Sequence, residues 1–242
     1  TASNNTAVGY EALVSNTTGG SLVAVGRSAL LANTTGSRNV AVGFSALETN
    51  TTANNNTAVG NASLESNTTG GQNAAFGRNS MLNNTTGDYN TGLGESSFVS
   101  NTTGDYNTAV GSESLRSNTT ASDNTAVGYQ AGYSNTTAQY TTVLGKGAGR
   151  SMTAGNGNTF VGYHAGYTNN GSGTYRNTFI GYNSGSAVSS GYKNVILGSY
   201  PGNQSGIDIR TASNHIVLSD GDGNPRQVVT ATGNIGMGKH ST

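Results

Sequence analysis

The chain has no cysteine and no tryptophan, only 2 prolines and only 9% charged residues, and its 11 basic side chains balance its 11 acidic ones. Without cysteine there is no disulfide framework to staple a small fold. No run of about 18 apolar residues is present to span a bilayer as a helix, and so little charge excludes a coiled coil. Scattered, balanced Lys and Arg leave no electrostatic footprint for nucleic acid. Abundant instead are Gly, 37 of 242 residues, and Asn and Thr. Composition alone would permit a disordered, low-complexity chain, and the order of the residues is what overturns that reading.

Gly9, Gly26, Gly43, Gly60, Gly77, Gly94, Gly111, Gly128, Gly145 and Gly162 follow one another at steps of 17 residues, and Gly181 and Gly198 continue at steps of 19 and 17. Twelve repeats thus cover residues 1–206. The period is too short for a propeller blade or a helical hairpin, and nothing recurs at helical spacing, so each repeat reads as one coil. The spacing predicts an all-β fold, a β-solenoid with twelve coils of about 17 residues. At roughly 4.8 Å per coil the stack would be a shaft on the order of 55–60 Å long.

Columns of the repeat carry the detail. The residue before each marker glycine is always large and apolar, from Val8, Val25 and Val42 through Phe76 and Leu93 to Ile180 and Leu197, and is expected to form the core. Three residues after the marker stands a small residue, as in Ala12, Ala29, Ser63, Ser97 and Ala165, where a wall approaches closely. Two further columns compensate each other. Four after the marker, Leu13, Leu30, Leu47, Leu64, Met81, Phe98 and Leu115 give way to Gly132, Gly149, Gly166, Gly185 and Gly202. Two before it, the run from Ala7 to Ala126 gives way to Val143, Phe160, Phe179 and Ile196. The switches are one coil out of step, so every junction holds one large and one small member, such as Leu13 with Ala24 or Gly185 with Ile196. Close packing enforces this, since overpacking costs on the order of 1–3 kcal/mol, and these pairs are expected to touch.

Other columns read as turn chemistry. Asn recurs four before the marker, as in Asn5, Asn39, Asn56 and Asn73, and the run Asn16-Thr17-Thr18-Gly19 recurs with Gly or Ala last. Asn and Gly tolerate left-handed turns, and stacked amides can bond from coil to coil. The Asn-x-Thr triplets match glycosylation acceptors only because the turn repeats. Asp220, Asp222 and Asn224 open like a calcium loop, but Pro225 and Ala231 stand where Gly and Glu are needed, so a hairpin turn is expected. His164, His215 and His240 are too dispersed for a metal site or a catalytic set, and no catalysis, metal or cofactor is expected.

So thin a core is a poor match for roughly 1–2 kcal/mol of backbone entropy per ordered residue, which points to a homo-oligomer, with the Ala, Ser and Gly columns letting chains approach around an axis. The recurring NTAVGYEAL and NTTG pattern, and above all NTAVGYQAGYSNTT at 124–137, resembles the head repeats of trimeric autotransporter adhesins and related repeats of bacteriophage and large-virus tail fibres. The resemblance covers residues 1–206 and implies that the solenoid is a parallel β-roll wound as a homotrimer, intertwined or side by side.

The period stops at residue 207, where a separate C-terminal segment, 207–242, is expected. Its Asn214–Gly221 and Gly233–Gly238 stretches are similar to those preceding the self-cleaving intramolecular chaperone of tail fibres and tailspikes. Ile216–Leu218 and Gln227–Thr230 read as two strands joined by Asp220–Pro225. The chain starts inside a repeat, and further sequence is expected before it. Together these features imply a structural, non-enzymatic segment of a viral tail fibre, on the virion, that helps attach to a host-surface glycan or protein receptor. A bacterial surface adhesin head and an ice-binding solenoid with a Thr17, Thr34, Thr51, Thr68 ladder are the alternatives. Tyr10, Tyr129, Tyr163 and Tyr182 share the variable column after the marker with Phe44, and their rings are the candidate glycan contacts, unless they only cover neighbouring coils.

Overall fold

Each repeat forms one three-residue strand followed by a run of turns, and among the described residues there is no helix. A computed structural model describes residues 2–171 and 175–237, which fall in two compact units, Thr1–Asp123 and Asn124–Thr242. The first unit holds β1 (Thr6–Val8), β2 (Val23–Val25), β3 (Val40–Val42), β4 (Thr57–Val59), β5 (Ala74–Phe76), β6 (Thr91–Leu93) and β7 (Thr108–Val110). These pair in parallel with a register of one repeat, as in Ala24↔Ala41 and Ala58↔Ala75. The second unit holds β8 (Thr125–Val127), β9 (Thr142–Leu144), β10 (Thr159–Val161), β11 (Thr178–Ile180) and β12 (Val195–Leu197), paired in the same way. The chain is a parallel β-solenoid of twelve coils, seven strands in one unit and five in the other.

The marker glycine ends each strand because no other residue fits there. Gly43 has φ +140°, and a Cβ on it would lie 2.3 Å from the carbonyl oxygen of Gly60 in the next coil. After the marker the backbone returns to left-handed φ at fixed places, as at Ser45 (54°), Leu47 (52°) and Asn55 (61°). For Leu47 that conformation costs on the order of 1–2 kcal/mol. Its complete burial offsets the cost, since enclosing a Leu contributes about 2 kcal/mol. The turns are bonded between coils as the strands are: Leu47 N–H donates to Ser63 O at 3.1 Å and Thr51 N–H to Thr68 O at 3.1 Å.

The interior differs from the expected one. Ala24, Ala41, Ala58 and Ala75, at the centre of their strands, are fully buried, whereas the apolar residues before the markers face outward: Val8 is 59% exposed, Leu93 47% and Leu144 45%. Adjacent residues of a strand point to opposite faces, so with the residue two before the marker inside, the residue one before must be outside. The column expected as core is therefore an exposed apolar ridge. The Ala and Ser column after the marker, expected to face other chains, is buried inside its own coil, as at Ala29, Ala46, Ser63 and Ser97. The compensating columns do meet. A Cβ on Gly92 would lie 2.8 Å from Met81 Cγ in the preceding coil, and one on Gly149 would lie 3.1 Å from Phe160 Cδ2 in the following coil and 2.9 Å from Val143 Cγ1 in its own.

Two asparagine ladders replace apolar filling elsewhere in the interior. In the first, Asn56 N–H donates to Asn39 Oδ1 (2.8 Å) and Asn73 N–H to Asn56 Oδ1 (2.9 Å), while Asn56 Nδ2 donates to Gly70 O (2.8 Å). In the second, Asn33 donates to Asn16, Asn50 to Asn33 and Asn67 to Asn50 through their side-chain amides. Buried polar groups are satisfied in both.

Past the last regular repeat, β13 (Asn203–Gln204) and β14 (Ile207–Asp208) form a small antiparallel hairpin. The parallel ladder then takes one more rung: β15 (Ile216–Ser219) pairs in parallel with β12, Ile196 opposite Val217. β16 (Pro225–Val229) and β17 (Ile235–Met237) add antiparallel strands beyond it.

Candidate functional site

The residue after each marker glycine leaves the strand on the solvent side, and consecutive coils place these side chains above one another. In the second unit this column runs Tyr129, Lys146, Tyr163, Tyr182. Lys146 Nζ lies 5.9 Å from the ring centroids of both Tyr129 and Tyr163, and Tyr163 stacks on Tyr182 at 5.2 Å and 9°. Tyr10 stands in the first unit, beside Arg27, whose guanidinium lies 5.8 Å from the Tyr10 ring and 5.5 Å from Phe44. The structure thus brings Tyr129, Tyr163 and Tyr182 into one ladder of the second unit, and Tyr10 belongs to a cluster of the first. The rings stack along the coil axis, so Tyr163 has its faces taken by neighbours, including His164 at 3.8 Å. At Tyr163 the ring edge and hydroxyl, rather than the faces, are what the ladder offers to a ligand.

A second ladder, unforeseen in the sequence, runs beside the first. Arg150 lies 5.1 Å from the ring of Tyr133 and 5.7 Å from that of Tyr167, and its Nε donates to Gln130 Oε1 at 2.9 Å. His164 sits between the two ladders, tilted against Tyr167 at 4.5 Å and seated over Gly147, where a Cβ would lie 2.6 Å from its Cδ2. Burial holds the His164 pKa below the ordinary value, and the cations Lys146 and Arg150 push it the same way. The signal that could have found this patch is a deficit: no Asp or Glu stands between Asp123 and Asp208, while Lys146, Arg150, Arg176, Lys193 and nine of the 12 tyrosines do. In the first unit the equivalent column pairs Arg78 with Glu95.

The remaining candidates take structural roles. Asp220 closes the β15–β16 turn: its Oδ1 accepts the backbone N–H groups of Asp222 (3.1 Å) and Asn224 (2.8 Å), and its Oδ2 pairs with Arg226. Those bonds, the Asn224 N–H first, hold its pKa below the usual carboxylate value. His215 Nδ1 lies 2.8 Å from Ser213 O, and His240 lies outside the described residues. Among the described residues no three His, Cys, Asp or Glu side chains cluster as metal ligands. The Asn that open the Asn-Thr-Thr runs, Asn33, Asn50, Asn67, Asn84, Asn101 and Asn118, are fully buried in the second ladder and closed to a glycan in the folded chain, whereas Asn55 and Asn83, which open the triplets ending at Thr57 and Thr85, are exposed. Thr34, Thr51 and Thr68 each donate their hydroxyl to the carbonyl of the next coil's Thr, so the hydroxyl protons an ice surface would need are committed internally.

Compared with models of known protein families, with curated proteins and with solved structures, the chain matches none.

Proposed function

We propose that the chain is a structural segment of a homo-oligomeric fibre, of the viral tail-fibre kind, that contributes to attachment at a host surface and performs no catalysis. The observation that carries this reading is the outward apolar ridge. Parallel sheets are ordinarily covered on both faces, yet here Val8, Phe76, Leu93, Leu144, Ile180 and Leu197 are all exposed by 39% or more. The column is outward in every coil, exposed at these six and half-buried at Val25, Val42, Val59, Val110, Val127 and Val161, and such a ridge is best covered by the same ridge of another copy, because only an identical chain repeats its contacts at the same interval. Three copies, rather than two, follow from the resemblance of the repeats to trimeric adhesin heads and fibre shafts. The resemblance of Asn214–Gly221 and Gly233–Gly238 to pre-chaperone segments favours a viral fibre over a bacterial adhesin.

In such a fibre the coils supply reach and stiffness through their ladders of hydrogen bonds, and the exposed columns supply repeated weak contacts whose avidity comes from number. Light scattering with sedimentation velocity on the purified chain tests this. A mass of three chains in an elongated particle is expected, and a monomer at micromolar concentration would overturn the reading.

A further inference from the structure

The two ladders of the second unit have a chemical character that the repeat did not require. Coil by coil they set Tyr129 and Tyr133, then Lys146 and Arg150, then Tyr163 and Tyr167, with Tyr182 continuing the first ladder. Both cations are framed by rings and neither has a carboxylate neighbour, because no acidic residue exists between Asp123 and Asp208. The ring faces attract both cations, which holds them in place and leaves their charge unneutralised.

We infer that this face binds an acidic polysaccharide, with Lys146 and Arg150 taking the sugar carboxylates and the edges of Tyr129, Tyr163 and Tyr182 taking sugar hydroxyls. Charge complementarity selects an anion, since a positive surface with no acidic side chain repels cationic partners and attracts polyanions. Ring geometry selects a saccharide over a single-stranded nucleic acid. A nucleic acid would stack its bases on open ring faces, and within this ladder the 5.2 Å Tyr163–Tyr182 stack, the His164 ring on Tyr163 and Lys146 over Tyr129 already occupy ring faces between the coils. Phenol hydroxyls at the ring edges donate and accept, as sugar hydroxyls do. The inference gives the attachment role its ligand class and rests on that role for its biology only, since binding to this face does not depend on the number of chains in the particle.

His164 is the internal reporter. Facing it are Lys146, Arg150, Tyr163 and Tyr167, and the two cations help keep its pKa low. A carboxylate drawn to Lys146 and Arg150 would offset their repulsion and raise the pKa of the imidazole.

The test is calorimetric titration of the full chain with polygalacturonate, with its fully methyl-esterified, uncharged form, and with oligo-thymidine DNA. The acidic polymer is expected to bind, more weakly as salt rises, and the ester and the DNA are not. Lys146→Gln together with Arg150→Gln should weaken binding roughly tenfold or more, while Arg27→Gln in the first unit should leave it unchanged. An NMR titration should show the His164 pKa rising in the complex. Equal binding of acid and ester, tighter binding of the DNA, equal loss from Arg27→Gln, or an unmoved His164 would each overturn the proposal. A trimer that fails to bind polygalacturonate refutes this inference and leaves the fibre standing; a binding monomer does the reverse.

Discussion

Asn67 Nδ2 lies 3.0 Å from Asn50 Oδ1, one rung of a ladder in which each amide also closes its own turn, here by donating to Gly70 O at 2.8 Å. Asn84 in turn donates to Asn67 Oδ1 at 2.8 Å. Every polar atom of Asn67 is used, and each is buried. Asn169 occupies the same place in its coil, seven residues after a marker glycine, but its neighbours in the column are Met152 and Val188, and among the described residues both of its buried amide atoms lack a hydrogen-bond partner. One residue type thus has opposite energetic signs at two equivalent positions.

Replacement should separate them. Asn67→Ala leaves Gly70 O its bond from Asn56 Nδ2 but takes the donor from Asn50 Oδ1 and an acceptor from Asn84 Nδ2, which at roughly 1–3 kcal/mol per stranded group predicts a loss of about 3 kcal/mol. Asn169→Val removes two stranded groups and matches Val188 above it, which predicts a gain on the order of 1 kcal/mol. Urea unfolding midpoints of the two variants should move in opposite directions, and movement in the same direction by similar amounts would contradict the ladder account.

Glycines of the repeat should likewise divide into two classes. Gly43→Ala must place a methyl 2.3 Å from Gly60 O at φ +140°, and neither strain can relax without breaking the β3–β4 pairing. A loss of 3 kcal/mol or more is expected, about the scale of a severe core substitution. At Gly36 the contact is 2.4 Å, to Ala53 O, yet Ala53, Ala121 and Ala138 fill the same column in other coils. Gly36→Ala should therefore cost less than about 1 kcal/mol, the range of an ordinary surface change. Thermal melts of both variants decide the matter.

The period, the solenoid and the pairing of the compensating columns were legible because each rests on a residue type that only one backbone arrangement tolerates at 17-residue intervals. The side of the sheet was not. Three-residue strands are too short for alternation to show in one repeat, and a column of constant size such as Val8 to Leu197 reads as core whether its cover is its own coil or another chain. The rung supplied by β15 was hidden because 21 residues separate Val217 from Ile196, a β-hairpin being inserted between them. Within the candidate site, the shared column of Tyr129, Tyr163 and Tyr182 was visible; Lys146 and Arg150 were not, because their significance lies in acidic residues missing from a distance.

Substitutions on the two faces of one sheet should have different consequences. Ala75, fully buried in β5, has no room or partner for a carboxylate, and Ala75→Asp should prevent folding, at a cost of several kcal/mol. Leu93, 47% exposed on the outer face of β6, can accept Asp within a folded chain. If the ridge is the interface, Leu93→Asp should halt assembly and leave the far-ultraviolet circular dichroism unchanged. A Leu93→Asp variant that retains the oligomer would place the interface elsewhere.

Tyr200 gives the fold an alkaline limit that can be calculated in sign and size. Its ring is fully buried below the β13–β14 hairpin, and its hydroxyl donates to Ile207 O at 2.7 Å. Burial pushes its pKa up from 10.0 to about 12. The folded chain therefore keeps a proton that the unfolded chain releases, and between those two values the folded state binds more protons. Stability from this group is complete below pH 10 and falls as pH rises toward 12, by at most about 3 kcal/mol in all. Tyr200→Phe loses the hydrogen bond, about 1 kcal/mol at neutral pH, but has no phenol there to ionise. The stability difference between the wild-type chain and Tyr200→Phe should thus shrink and reverse across pH 10–12, as followed by urea unfolding at fixed ionic strength, whereas a difference independent of pH would show that the phenol is not held in its neutral form by the fold.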